Sequence, residues 1–200
     1  MPQIKIVLND EEKILTSRLK EKIIAHIEKA GSSIPVSKYI ELALYDRVDG
    51  YYNNLLHKFG KDGDFVTAPI ISGLFAQCLA IQIHELWDNS TIMRNILEIG
   101  PGNGQLMLDL LSIMGELIDK YYILEVSANL CELQRQRLHK EYPHLLSKVV
   151  WLNQLPKEFE GIILANEVLD AQPSEVVMWD RDNIKRRMVS IDQNNNFVYS

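Results

Sequence analysis

The stretch Ile96-Leu97-Glu98-Ile99-Gly100-Pro101-Gly102-Asn103-Gly104 constrains the fold of this chain more than any other. A short apolar run carrying one acid, followed by glycine at three alternate positions, reads as a buried strand entering a tight turn. Glycines lack Cβ atoms, so they permit positive φ and let main-chain atoms approach a ligand closely. Residues 105–114 then read as a helix, whose free N–H groups favour an anionic or carboxylate-bearing ligand. Strand, glycine turn and helix in that order open an α/β domain.

The alternation continues downstream. Residues 121–124, 149–152 and 161–165 read as further strands, and Ser127 is placed to cap a helix reaching about Glu141. Strands alternating with helices imply a parallel sheet covered on both faces by right-handed crossovers. From Ser174 onward the pattern becomes β-hairpin: 175–179, 187–191, a turn at Asn194-Asn195-Asn196, then 197–199. Upstream, Leu15, Leu19, Ile23 and Ile27 recur every four positions and predict a helix over 11–30, stopped by Gly31-Ser32-Ser33. Ser37 is placed to cap a second short helix, and Phe75, Leu79, Ile83 and Leu86 line a third. Between these helices, a long loop from Asp46 to Pro69 carries Tyr51, Tyr52, Phe59 and Phe65, an aromatic content that favours function over disorder.

Composition removes several function classes. The 200 residues are 46% hydrophobic and 24% charged, enough apolar material for one sizeable core. A net charge of −6 argues against a protein that coats nucleic acid, and the local cluster Arg181, Lys185, Arg186 and Arg187 reads as a solvated hairpin face. Cys78 and Cys131 are far apart and lack metal-ligand spacing, so free thiols in a reducing compartment and no metal are expected. The first residues lack a signal-peptide core, and no apolar run approaches the roughly 20 residues that span a bilayer. A cytoplasmic location without membrane insertion is the expectation.

The glycine spacing selects the ligand. A dinucleotide fingerprint, G-x-G-x-x-G, requires glycine at the position of Gln105, whereas here glycine stands one place earlier, at Gly104. The spacing G-x-G-x-G preceded by Glu98 matches methyltransferases, whose cofactor S-adenosylmethionine has no pyrophosphate to cradle. Glu98 is placed to meet the positively charged amino end of that cofactor; the alternative is a strand-end carboxylate bonded to nearby backbone. Glu125, ending the second strand, is placed to accept both ribose hydroxyls, with a surface carboxylate as the alternative. Asn153, just past the third strand, is a candidate for the adenine amino group, and turn chemistry explains it equally well.

Ligands of open α/β sheets lie outside the carboxyl ends of the strands, which brings Asn166-Glu167-Val168-Leu169-Asp170-Ala171-Gln172-Pro173 to the site. Methyl transfer from a sulfonium needs in-line alignment, and proton removal where the acceptor is a protonated nitrogen. Carboxylates orient a guanidinium bidentately and help remove its proton. Glu167 is the first catalytic candidate and Asp170 the second, with Asn166 beside them. In the alternative, Asp170 caps a short helix and Glu167 solvates the loop.

Together, Gly63-Asp64-Phe65-Val66-Thr67-Ala68-Pro69, Ile71-Ser72, Phe75, the glycine loop and the block 165–173 resemble the MidA-like methyltransferases. The likeness runs from about Val36 to about Ser190. The order of Gly-Asp-Phe-x-Thr-x-Pro before Asn-Glu-x-x-Asp-x-x-Pro is its most specific feature. That family includes a mitochondrial complex I assembly factor that methylates an arginine. The resemblance therefore implies a protein substrate, with a respiratory complex I subunit among the candidates. It implies a cofactor site at Glu98, Gly100, Gly102, Gly104 and Glu125, and a cap in which Gly63, Asp64, Phe65, Thr67 and Pro69 fold over it. Independently of the resemblance, Thr67 and Asp64 are placed to cap or brace the following helix, and Phe65 reads equally as a core residue. Ile70 stands where the family has Glu, and Ala76 where it has Gly.

The predicted fold is α/β, a Rossmann-like class I methyltransferase sheet with an N-terminal helical cap, truncated after the fourth core strand. The expected divisions are a helical cap and covering loop at 1–90, a partial cofactor-binding core at 91–173, and the start of a hairpin insertion at 174–200. A seven-stranded sheet would lack three strands, so the chain is expected to be a fragment, a truncated product, or a half whose exposed sheet edge favours self-association. Two other readings stand beside the methyltransferase: a catalytically silent module for assembly or interaction, and a nicotinamide-dependent oxidoreductase, which Gln105 disfavours.

Overall fold

The computed structural model describes residues 8–54 and 67–200, which fall into two compact units, one of 8–54 with 171–200 and one of 67–170.

In chain order, the first unit begins with Asp10–Lys29 (α1), Ser33–Pro35 (β1) and Val36–Tyr45 (α2). Helix α1 starts in a reciprocal cap: Asn9 Oδ1 accepts the Glu12 N–H at 2.9 Å, and the Asn9 N–H donates to Glu12 Oε2 at 2.7 Å. Ile23 and Ile27, one turn apart, are its buried residues and pack in a small core with Ile34, Val36 and Leu42. Pro35, not Ser37, occupies the cap position of α2, because Ser37 lies inside the helix and donates its hydroxyl to Glu175 Oε1 at 2.8 Å.

The second unit holds the helices Ala68–Ile71 (α3) and Leu74–Asp88 (α4), then Asn95–Ile99 (β2), Gln105–Met114 (α5), Lys120–Leu124 (β3), Ala128–Glu141 (α6), Val149–Leu152 (β4) and Ile162–Leu164 (β5). Its four strands form one parallel sheet in the order β4-β3-β2-β5. Four of the five residues of β2 are buried, as a strand flanked on both sides and covered on both faces requires. Helix α5 buries Leu106, Met107, Leu108, Leu110, Leu111 and Met114, because α3, α4 and the sheet core all pack on it.

Helix α4 faces this core through Ala76, Ala80, Ile83 and Trp87, whereas Leu86 is 54% exposed and Phe75 and Leu79 are only partly buried. The stripe predicted from bulky side chains is therefore turned. Small alanines at Ala76 and Ala80 allow close approach to the core, and a count of large residues does not register them. Packing thus joins α4, which lies within the predicted 1–90 cap, to the residues that carry the sheet.

Past residue 170 the strands are Val177–Asp180 (β6), Asn183–Arg186 (β7), Met188–Ile191 (β8) and Phe197–Tyr199 (β9). Strands β6 and β7 pair with each other, and β8 pairs antiparallel with both β9 and β1. At three residues, β1 is too short to leave a period in the sequence. The basic cluster is solvated as expected: Arg186 meets Glu175 at 3.1 Å, and the Arg187 guanidinium lies 5.0 Å from the Tyr199 ring centre. Asp192 Oδ1 accepts the N–H groups of Asn194 and Asn196, which closes the predicted turn.

Ile83→Ala, at 1% exposure, is expected to lower stability by about 2–5 kcal/mol. Ile81→Ala, at 69% exposure on the same helix, should stay within about 0.5 kcal/mol. Urea denaturation of the two variants checks which face of α4 is the buried one.

Candidate functional site

Strand register brings the predicted site residues to one edge of the sheet. Ile99 pairs with Leu124, Leu124 with Leu152, and Glu98 with Leu164, so the four strands end almost level. The chain leaves those ends at Gly100, Glu125, Asn153 and Ala165. Strand order also reverses at β2, since β3 and β4 build outward on one side and β5 returns on the other. The crevice beside such a reversal is where open α/β sheets bind ligands.

The loop after β2 has the predicted backbone: φ is +62° at Gly100, +58° at Gly102 and +79° at Gly104. Residues with a Cβ rarely adopt this left-handed region. A Cβ on Gly100 would lie 3.2 Å from Val168 Cγ2, so the loop after β5 adjoins the glycine loop directly. Asn103 Oδ1 accepts the Gln105 N–H at 3.0 Å and covers one donor of the first turn of α5.

Helix α6 grips this loop from the side. The Gln134 amide donates to the Gly102 carbonyl at 2.8 Å. One turn on, Arg137 donates to the Asn103 carbonyl at 2.9 Å and to Gln105 Oε1 at 2.8 Å. Gln105, which excluded the dinucleotide fingerprint, thus has a structural use as the Arg137 acceptor.

Two acids stand behind the loop. Glu98 is 3% exposed and receives the hydroxyl of the fully buried Tyr121 at 2.7 Å. Burial pushes its carboxyl up to about 7; the Tyr121 hydrogen bond opposes the shift and the charge of Glu125 adds to it. Burial likewise pushes the half-buried Glu125 up to about 7, against donation from the backbone N–H groups of Ser127, Val126 and Gly102 and from the Gln134 amide. Ser127 caps α6 as predicted, accepting the Leu130 N–H at 3.3 Å.

Of the remaining candidates, Asn153 and the loop 165–170 follow strands that end at this edge. Asn153 is exposed just past β4. Asn166 is half-buried and Glu167 exposed, with φ at +53°, an unusual conformation for a residue with a side chain. Asp170 is exposed within a short 3-10 turn, Leu169–Ala171. Thr67 occupies the cap position of α3 without a side-chain cap bond, and Pro69 is buried in that helix, which packs against α4 and α5. Gly63, Asp64 and Phe65 lie outside the described residues. Ala76, where the resemblance expects glycine, is fully buried, and Ile70, where it expects Glu, is half-buried on α3.

Comparison with known proteins follows the same lines. Residues 78–200 match the model of the family described as "Putative S-adenosyl-L-methionine-dependent methyltransferase". The chain belongs to that family. Among curated relatives, it is 29% identical to protein arginine methyltransferase NDUFAF7, mitochondrial, of Xenopus laevis, over 91% of this chain and 47% of that protein. It is 30% identical to the Drosophila melanogaster homologue, over 80% of this chain and 40% of that one. The chain thus spans about half the length of the curated relatives it matches. A Burkholderia thailandensis protein crystallised with S-adenosyl-homocysteine superposes with a TM-score of 0.87 at 38% identity, covering 98% of this chain and 52% of that one. A native crystal form of a protein from the same organism gives a TM-score of 0.82 at 37% identity, over 98% of this chain and 50% of that chain. These likenesses establish the Rossmann-like class I methyltransferase fold.

Three residues of the site escape sequence reasoning: Tyr121, Gln134 and Trp151, which donates its indole N–H to Gln134 Oε1 at 2.9 Å. Tyr121 and Trp151 read as strand-forming aromatics and Gln134 as one polar residue in a polar helix. Only the pairing of β2, β3, β4 and α6 shows what they touch.

Burial of Glu98 has a consequence for stability. Its folded carboxyl holds a proton up to about 7, while the unfolded one releases it near the ordinary 4.5. The folded state is therefore favoured fully below 4.5 and loses this contribution as pH rises through about 7, on the order of 3 kcal/mol in all. Glu98→Gln is expected to be more stable than the parent at pH 8 and to lose that advantage at pH 4, as measured by urea denaturation. An equal difference at both pH values would show that Glu98 is not a buried acid.

Proposed function

We propose that this protein is an S-adenosylmethionine-dependent methyltransferase whose acceptor is an arginine side chain of a protein. The observation that carries this reading is the convergence of three left-handed glycines with two carboxyl groups at the ends of adjacent parallel strands. The family supports it, and so do the printed names of the curated relatives. The donor set fits such a cofactor: acids that burial leaves short of a counter-charge suit a ligand bearing an ammonium and a ribose diol, and not a pyrophosphate. In this reading Glu98 meets the ammonium, Glu125 the ribose hydroxyls and Asn153 the adenine amino group, with Gly100, Gly102 and Gly104 allowing close backbone approach.

The bound sulfonium supplies an electrophilic methyl group and a neutral thioether as leaving group. What remains for the chain is alignment and a proton acceptor. Glu167 takes both tasks, its carboxylate orienting the guanidinium bidentately, with Asp170 and Asn166 fixing the approach. The segment containing Gly63, Asp64, Phe65, Thr67 and Pro69 serves as cover within an N-terminal cap of residues 1–90, beside a core of 91–173 and an insertion beginning at 174. A respiratory complex I subunit is the first acceptor to test, and the edge of β5 is the surface for self-association. The unpaired Cys78 and Cys131 favour a reducing compartment such as the cytoplasm, while the curated relatives are named mitochondrial. Among the described residues no helix is long and apolar enough to cross a membrane.

Calorimetry with S-adenosylmethionine, S-adenosylhomocysteine and NAD tests the ligand class. Heat with the first two and none with NAD is expected; no heat with S-adenosylmethionine would sink the reading. Glu125→Ala is expected to weaken binding by about tenfold or more. Glu167→Ala should lower methyl incorporation into protein substrates by about 100-fold with cofactor affinity within about twofold. Equal incorporation would remove Glu167 from the chemistry.

A further inference from the structure

Gln134 has no solvent exposure, and its polar atoms are directed at the cofactor edge. Its Nε2 donates to the Gly102 carbonyl at 2.8 Å, and the same amide favours the charged form of the neighbouring Glu125 carboxyl. Its Oε1 accepts the Trp151 indole N–H at 2.9 Å. One side chain thus ties the loop after β2 to strand β4, beside the carboxyl that ends β3. Its stem also fills the space beside the loop, with Cγ lying 3.1 Å from where a Cβ on Gly104 would stand.

Burial of a primary amide costs free energy unless its partners are all in place, and an apolar side chain would hold α6 on the sheet without that cost. What the amide adds is direction. We propose that Gln134 is the positioning residue of the cofactor site, setting the spacing between the glycine loop and the ribose-binding acid without touching the reacting atoms. The proposal rests on the function proposed above. It makes Gln134 a determinant of affinity for adenosyl ligands, with Trp151 as its anchor. Arg137 holds the neighbouring Asn103 carbonyl and leaves the Gly102 carbonyl to Gln134. The charged and titratable groups around Glu125 are Glu98 on β2 and Cys131 on α6, with Arg135 acting on Cys131.

The test compares the parent protein, Gln134→Met and Trp151→Phe by calorimetry with S-adenosylhomocysteine between pH 5.5 and 8.5, as roughly the range around neutral carboxyl titration. Methionine keeps the volume and removes the amide. Binding by Gln134→Met should weaken about tenfold or more. Its pH of half-maximal affinity should rise by about 0.5–1 unit, because Glu125 loses a donor to its charged form. A merely structural role would lower the melting temperature and leave the pH profile in place. Trp151→Phe should shift affinity in the same direction by a smaller factor, and the double variant should fall short of the product of the two. Affinity within about twofold of the parent, with an unmoved pH profile, would overturn the proposal. Where Gln134→Met does not fold, unchanged binding by Trp151→Phe overturns it instead. A parent protein that binds no S-adenosylhomocysteine would sink the proposed function, whereas a binding parent with an indifferent Gln134→Met sinks this inference alone.

Discussion

A carboxyl group buried in the middle of a parallel sheet is the constraint on which the rest of this site depends. Glu98 sits in β2 with strands on both sides, and the hydroxyl of Tyr121 is the hydrogen-bond donor it receives. No cation is paired with it among the described residues. Such a group is carried at the expense of stability near neutral pH, and the apolar core of α4, α5 and the sheet offsets it. A second carboxyl, Glu125, stands within electrostatic reach at the end of the adjacent strand and raises the proton affinity of the first. Buried acids whose proton affinity is raised by desolvation and a neighbouring charge are candidates for a functional site.

The sheet order sets that pair at the carboxyl ends of the strands. Because strand order reverses at β2, the loops after β2 and β5 lie side by side, and Val168 fills the space a side chain at Gly100 would need. Helix α6 fixes the other flank through Gln134 and Arg137. The loop conformation is therefore specified from both sides and by its own glycines. A loop built this way needs little reorganisation to receive a ligand, and preorganisation is what makes modest contacts effective.

The legible part of the site was the part in which backbone geometry dictates residue type. Positive φ at Gly100, Gly102 and Gly104 can be read from glycine spacing, and an acid at a strand end can be read from where the apolar run stops. The α4 face was not legible, since alanines that permit close packing look neutral in a hydrophobic pattern, and Leu86 looks buried when it is not. Strand β1 was missed because three residues carry no period, and its pairing with β8 links positions that are distant in the chain. The roles of Tyr121, Gln134 and Trp151 leave no sequence signal for a related reason. Their roles arise from contacts across strands and between a helix and a loop, and no local spacing announces these. The ordered motif blocks carry the family resemblance, and the family match and the close superposition establish it.

Two carboxyl groups whose proton affinity burial raises to about 7 bind the ammonium and the ribose hydroxyls of an adenosyl ligand in their charged forms, and this is the central claim. The most direct measurement is titration calorimetry of S-adenosylhomocysteine near pH 6.5, in buffers of different ionisation enthalpy, just below the value of about 7 that burial gives both groups. The account predicts net release of about 1.5 protons per ligand bound, since each acid is about three-quarters protonated at that pH. Binding heat independent of the buffer, with no proton released, would contradict it.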